Sequence, residues 1–512
     1  MTAPPVHGLE ASFFREVPLE ILLRITDFLP TPDLGAFRLS CRAVYALLDN
    51  TFIKEFFTRK QFMLTIFSLN ALVEISQSRL GAHLRFLHIG LERPELRPFD
   101  LVHREAHTSR SERQRRLGAL VAEECVAAAN GHHRDMLITA LKNLPNLEAI
   151  LIRDHNSKRR TRDGWNAEWR SYGHKTLVDS TSGRPTYPTY PMHPMRQIQE
   201  GNFGGDASDV FSQVLYACAH SGSRPLSIEV ITQRIPVRGS AFALPPSMGR
   251  ADVTSVVEGL QKLHLNFMPT WRGDRGPKAS DIEISESQVS DSTNPHGIQD
   301  ADYSLYSFLC RAKNLTDLRI NQPPSRVEQD NNPAHYLLEF AASAVAAALP
   351  GEPFLPKLQH LSIGRSHLKA EVLARLIRAF ARQLKSLELW RINLYRPLPQ
   401  LTHGETWPKV KFWPSFLRDL RGMPDLDLRH VKFGLMSQSH LSSEDSAHLG
   451  PLCMVGIAGM GNIDYTGADW RKYLEEKEGE MEVMWETPYE HGDEDGSDED
   501  SLDEDSDSAM DE

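Results

Sequence analysis

An acyl-transfer nucleophile is held in G-x-S-x-G, a nucleotide phosphate in G-x-x-x-x-G-K-[ST], a hydrolytic zinc in H-E-x-x-H and a dinucleotide in G-x-G-x-x-G. Each spacing fixes one turn or one helix face. None of the four occurs in these 512 residues. The nearest glycine-rich stretch, Gly456-Ile-Ala-Gly459-Met-Gly461, has the dinucleotide spacing reversed and reads as a loop or bend. The 21 histidines are scattered, and His132-His133, just ahead of a helical pattern, reads as a turn or cap rather than a metal site. Five cysteines, Cys41, Cys125, Cys218, Cys310 and Cys453, lie far apart with no C-x-x-C pair. That argues against a zinc site or a disulfide framework, and for a reduced cytosolic or nuclear protein. Asp493-Glu-Asp-Gly496-Ser-Asp498 has the look of a calcium loop but lacks flanking helices and the terminal bidentate Glu. The expectation is a chain that is not an enzyme, with no metal and no cofactor. A site assembled from positions distant in sequence would leave no such trace.

Charge is unevenly placed. Of the net −11, twelve Asp or Glu residues fall between Asp493 and Glu512 with no Lys or Arg among them, so the rest stands at +1. A body this close to neutral gives no support for nucleic-acid binding, which needs a basic face. Residues 488–512 are expected to be a disordered acidic tail. Within it Ser497, Ser501 and Ser508 each precede an acidic residue by three places, the pattern of an acid-directed kinase site. The hydrophobic fraction of 40% is enough for a sizeable core. No run of 18 apolar residues occurs, so no bilayer span is expected, and the opening Met1-Thr-Ala-Pro-Pro has no signal-peptide character.

The elements that would position a site begin near the amino terminus. Pro18 suits a first helical turn, and Ile21, Leu22, Ile25, Phe28 and Leu29 recur at helical steps. Pro30 and Pro32 close that helix, and Asp33 is the expected N-cap of a second one carrying Leu34, Phe37, Cys41, Val44 and Leu48. Asn50 or Thr51 would cap a third with Phe52, Ile53, Phe56 and Phe57. Three such short helices can hardly enclose that much apolar surface. The excess either packs on the rest of the chain or forms a docking face.

The order Val17-Pro18-x-Glu20-Ile21-Leu22-x-x-Ile25-x-x-x-Leu29, followed by Asp33-Leu34-x-x-x-Arg38-Leu39-Ser40-Cys41-Arg42, resembles the F-box motif across both helices and the gap between them. Val44, followed by Tyr45, stands where that motif often has an aromatic. The resemblance implies that this segment binds the Skp-type adaptor of a cullin–RING ubiquitin ligase while the rest of the chain selects a substrate. It carries adaptor contacts onto Pro18, Leu19, Ile21, Leu22, Ile25, Leu34 and Leu39, with Glu20 adding a polar or capping contact. Some of these must face inward to hold the helices together, and order alone does not divide them.

Beyond the module a short apolar motif recurs: Leu84-Leu87-Ile89, Leu147-Ile150-Ile152, Leu260-Leu263-Leu265, Leu315-Leu318-Ile320, Leu358-Leu361-Ile363, Leu384-Leu387-Leu389 and Met423-Leu426-Leu428. Its alternation suits a short strand with one buried face, and Leu226-x-Ile228-x-Val230 is one further strand. Helical patterns over 113–130, 134–144, 206–220, 334–349 and 368–383 fall between the strands. The best unit runs from Leu358 to Leu394, with 26 residues between Leu358 and Leu384, and is similar to a leucine-rich repeat with Ser366 in place of its asparagine. The other spacings are irregular, which leaves a less regular α/β domain as the alternative. The pattern Ala468–Gly479 would cap the last repeat.

The expected fold class is therefore α/β: a small three-helix F-box at 13–62, an irregular leucine-rich-repeat-like α/β solenoid at 63–480 with insertions at 154–205 and 273–298, and the acidic tail. Lys158-Arg159-Arg160-Thr161-Arg162, with Trp165 and Trp169 after it, reads as a solvated loop, a nuclear-import signal or acidic-partner clamp being the alternatives. Arg375, Arg378 and Arg382 read as the watered side of their helix. The expected function is a non-catalytic substrate receptor whose partners are the Skp-type adaptor, through it a cullin, and an unknown protein target. The alternative is an F-box scaffold or chromatin-associated factor acting outside the ligase.

Overall fold

Pro18 initiates helix α1 (Leu19–Asp27), and its fixed φ of −56° suits that boundary. Helix α2 (Thr31–Leu39) follows, and α3 is a single helix over Arg42–Phe57. The computed structural model describes residues 17–94, 108–156, 161–164, 168–181, 187, 206–242, 250–268, 305, 308–322, 354–397, 409–441, 453–457 and 462–485.

Two boundaries differ from expectation. Helix α2 starts two residues before Asp33, because Pro30 precedes it in an extended conformation and Pro32 fits its first turn. The expected second helix also breaks at Ser40–Cys41: Cys41 is extended (φ −155°, ψ 161°) and its Sγ accepts from the Val44 N–H at 3.5 Å, capping α3. Asn50 and Thr51 consequently lie inside α3 and cap nothing.

Arg59–Met63 (β1) leads directly from α3 into a parallel sheet. Strands β2 (Phe86–Gly90), β3 (Ala149–Arg153), β4 (Ser227–Ile231), β6 (Lys262–Met268), β7 (Asp317–Asn321), β8 (His360–Lys369) and β9 (Ser386–Pro397) follow side by side in chain order, each parallel to the last. The two-residue β5 (Val237–Arg238) pairs only with β6. Register stacks Leu87, Ile150, Ile228, Leu263, Leu318, Leu361 and Leu387 in one row and Ile89, Ile152, Val230, Leu265, Ile320, Ile363 and Leu389 in the next. All are buried, since a strand's side chains alternate and these share one face. Six of the seven expected motifs thus supply strands, as does 226–230, in which Leu226 itself is exposed.

The seventh motif is displaced. The strand is β10 (His430–Gly434), whose Val431 and Phe433 oppose Leu387 and Leu389, so Leu428 takes the place that Leu384 holds one turn earlier. Met423 and Leu426 are buried in the turn that brings the chain back from the preceding helix.

Helices cover the apolar side of the sheet: α4 (Ile66–Gln77), α6 (His132–Lys142), α8 (Ala207–Ser221), α9 (Arg250–Gly259), α10 (Ala370–Phe380) and α11 (Phe412–Arg421), while α5 (Thr108–Ala129) packs on α6 and on α7 (His174–Thr181). Asp206 caps α8 by accepting from the Ser208 and Asp209 N–H groups at 2.8 and 3.0 Å. In α10 Val372, Leu373, Leu376, Ile377 and Phe380 are buried while Arg375 and Arg378, with Arg382 just past the helix, face water, as expected. That helix starts after Lys369, because Leu368 and Lys369 still belong to β8. The expected helix at 334–349, the insertion at 273–298 and residues 486–512 lie outside the described residues.

The far end turns antiparallel. β11 (Met436–Leu441) continues along β9, β12 (Cys453–Ile457) and β14 (Met481–Val483) add to it, and β13 (Ile463–Thr466) pairs with β10. Gly456 is therefore a strand residue rather than part of a loop. Helix α12 (Trp470–Glu480) buries Trp470 and Leu474 over this end, the expected capping role.

Gly81, in the tight turn between α4 and β2, admits no side chain: a Cβ there would lie 2.3 Å from the Ser76 carbonyl oxygen. Gly81→Ala should cost about 1–3 kcal/mol, the usual penalty for overpacking against an element that cannot yield. A denaturant midpoint equal to wild type would contradict this.

Candidate docking surface

The three-helix module has its own small core: Leu22, Leu34, Val44 and Leu48 are buried together, with Val17, Leu23, Leu29, Phe37, Cys41, Leu47 and Phe56 packed around them. That geometry divides the eight residues singled out from the sequence. Leu22 and Leu34 are 0% and 4% exposed, so they hold the helices together and offer nothing to a partner. Pro18, Leu19, Glu20, Ile21, Ile25 and Leu39 are exposed. Ile21, Ile25 and Phe28 stand four and three residues apart on one side of α1, with exposures of 48%, 44% and 87%. Leu39, at the end of α2, is 72% exposed. Phe28 belongs to the surface although the motif comparison did not select it. Its place seven residues after Ile21 was the available signal.

The three-helix module is tied to the solenoid by polar contacts. Asp49 on α3 accepts from Arg38 of α2 at 2.6 Å and from Arg79, beyond α4, at 2.6 Å. Arg79 also donates to the Tyr45 hydroxyl at 2.8 Å, and the Arg38 guanidinium lies 4.0 Å from the Tyr45 ring centroid and 4.1 Å from that of Phe52. Hydrogen bonds from Arg79 outweigh partial desolvation and, with those from Arg38, hold the Asp49 carboxyl well below the usual carboxylate range.

The second tie was misread in the sequence. Of the basic cluster, 158–160 lie outside the described residues, but Arg162 is no solvated-loop residue. Its guanidinium donates to Glu55 of α3 at 2.6 and 2.9 Å, to the Leu29 carbonyl at 3.0 Å and to the Thr26 carbonyl. Asp163 accepts from the Thr31 N–H at 2.6 Å and from its hydroxyl at 2.8 Å. The N-terminus of α2, which has no cap of its own, is thus capped from 132 residues away. Trp169 packs edge-on to His88 at 4.9 Å, and Trp165 lies outside the described residues.

No disulfide joins the five cysteines, and burial pushes the Cys218 thiol up to about 12. His133 lies in the first turn of α6, and its Nε2 is 2.8 Å from Glu124, whose carboxylate also accepts from the Ile66 N–H at the start of α4. On the open face of the sheet, burial would raise Glu229, but hydrogen bonds from His264 and Lys262 bring it down to about 2. His264 also meets Asp317 at 3.0 Å, and Arg319 meets Glu388 at 2.9 Å, so this ladder of charges compensates itself. No group of three or more His, Cys, Asp or Glu residues able to hold a metal occurs among the described residues.

Because the folded-state pKa of Asp49 is depressed, its stabilisation is complete above about pH 4, the unfolded carboxylate range, and is lost as pH falls below that. Asp49→Asn should lower the denaturant midpoint at pH 7, and its gap from wild type should narrow as the pH drops below about 4. A gap of constant size across that range would count against the assignment.

No family model matches this chain, and no curated protein matches it. Among solved structures it is similar to a chain of the TLR13–ssRNA13 complex, with 11% identity and a TM-score of 0.24 over 72% of this chain, which spans 35% of the length of that one. It is also similar to a chain of the yeast Rad7 and Elc1 complex, with 11% identity and a TM-score of 0.25 over 82% of this chain and 88% of that one. Likenesses at this level carry nothing over to function.

Proposed function

We propose that this chain is the substrate-receptor subunit of a Skp–cullin–F-box ubiquitin ligase. The supporting observation is the exposed apolar row Ile21, Ile25 and Phe28 on α1, with Leu39 exposed on α2, in a module whose buried core is Leu22, Leu34, Val44 and Leu48. Large exposed side chains gathered on one short module are the usual mark of a protein interface. The Skp-type adaptor covers this face, with Leu19, Pro18 and Glu20 at its edge, and through the adaptor the chain reaches a cullin. The solenoid holds a target protein. Catalysis belongs to other subunits, and the contribution of this one is proximity, which raises the effective concentration of target lysines at a ubiquitin-charged enzyme.

Each fully buried aliphatic side chain contributes about 1.5–3 kcal/mol. Replacing two with charge should therefore weaken binding by roughly 100-fold or more. Ile21→Asp combined with Ile25→Asp should abolish co-purification of the adaptor while the chain stays folded, since both positions face water. Leu22→Asp should lose the adaptor together with the helical module. Equal adaptor recovery by wild type and the surface double variant ends this reading. Adaptor recovery with no cullin in the complex favours the scaffold role.

A further inference from the structure

The apolar core of the docking module and that of the solenoid do not merge: Leu22, Leu34, Val44 and Leu48 form one cluster, and the buried residues from Phe62 to Val483 form another. Hydrogen bonds and ion pairs cross the seam between them, and without a large apolar interface two units ordinarily move relative to one another. Three features oppose that motion. Helix α3 leads into β1 across Thr58 alone. Asp49 joins Arg38 to Arg79. The third is the chain that leaves β3 and returns across the start of the solenoid.

This returning chain is fastened to both bodies. On the solenoid, the Tyr172 N–H donates to the Gln61 carbonyl at 2.8 Å along the outer edge of β1, and the Ser171 hydroxyl accepts from the Gln61 side chain at 2.8 Å. The Ser68 hydroxyl donates to the Tyr172 carbonyl at 2.9 Å. Glu92, its side chain fully buried after β2, accepts from the Tyr187 hydroxyl at 2.8 Å, with His174 at 3.8 Å. On the module, the Arg162 fork spans the carbonyls that end α1 and the Glu55 carboxylate of α3, while Asp163 holds the first N–H of α2. Two adjacent side chains therefore grip all three helices.

We infer that Arg162 and Asp163 are positioning residues that fix the angle between the docking module and the solenoid. Resting on the docking reading above, this sets the direction in which a target held by the solenoid is presented to whatever covers α1. The grip consists of carbonyl ends, one amide and one carboxylate, so it sets orientation without occupying Ile21, Ile25 or Phe28. A chain lacking it binds its adaptor but points in many directions.

The test is a spin-label distance measurement on the full chain, with labels at Arg24→Cys on α1 and Arg375→Cys on α10, both facing water. Cys41, Cys125 and Cys310, which are not buried, are replaced by serine. Wild-type positions 162 and 163 should give one narrow distance. Arg162→Ala with Asp163→Ala should broaden it at least about twofold, as expected when fixing contacts across a polar seam are removed. Asp163→Asn alone, whose amide oxygen still accepts from Thr31, should keep it narrow. Unchanged amide exchange in β6–β9 shows that the solenoid is intact, and Arg162→Gln provides a milder variant expected to broaden less. A distribution as narrow as wild type in both the double variant and Arg162→Gln overturns the inference. Adaptor capture, measured separately, should match wild type in the double variant. Failure of wild type to capture adaptor sinks the docking reading and leaves the distance result standing.

Discussion

The limited interior of a three-helix module constrains everything else in this protein. Four side chains, Leu22, Leu34, Val44 and Leu48, fill the space between α1, α2 and α3. Ile21, Ile25, Phe28 and Leu39 then have nowhere inside to go. Among the described residues, none of them joins the core of the solenoid, which is a separate cluster. Exposed apolar side chains gathered on one short module are a usual mark of an interaction surface.

The same separation of cores explains why the contacts between the two bodies are so polar. Arg38, Asp49, Arg79, Glu55, Arg162 and Asp163 carry the seam, with hydrogen bonds and ion pairs where an apolar interface would otherwise be needed. Such contacts are directional, which suits an element whose angle matters more than its binding energy. Exposed ion pairs individually contribute little, so the seam depends on the concentration of several bonds on few residues.

The solenoid follows a simpler rule. Alternating apolar side chains on successive parallel strands stack into two continuous rows, and helices of variable length cover those rows. Irregular spacing between strands is tolerated because only the in-register strand must recur. The chain between strands is free to lengthen, and one such length, after β3, reaches back to the docking module. At the far end antiparallel strands and α12 close the stack.

The local signals were legible in order. Proline positions marked the start of α1 and the break after it, the 3–4 stepping marked α1, α5, α6, α8 and α10 but ran across the break between α2 and α3, and the L-x-x-L-x-L pattern marked six parallel strands in the right places. Each depends on neighbours within a few residues, so sequence alone determines it. The strand at 430–434 was missed by one motif length because a buried turn carries the same apolar spacing as a strand. Which of eight candidate residues face outward, and that Phe28 joins them, was decided only when three helices packed and one side of each was used up. The roles of Arg162 and Asp163 had no local signal at all: their partners lie more than a hundred positions away, and hydrogen-bond pairing at that separation is set by the fold of the intervening chain.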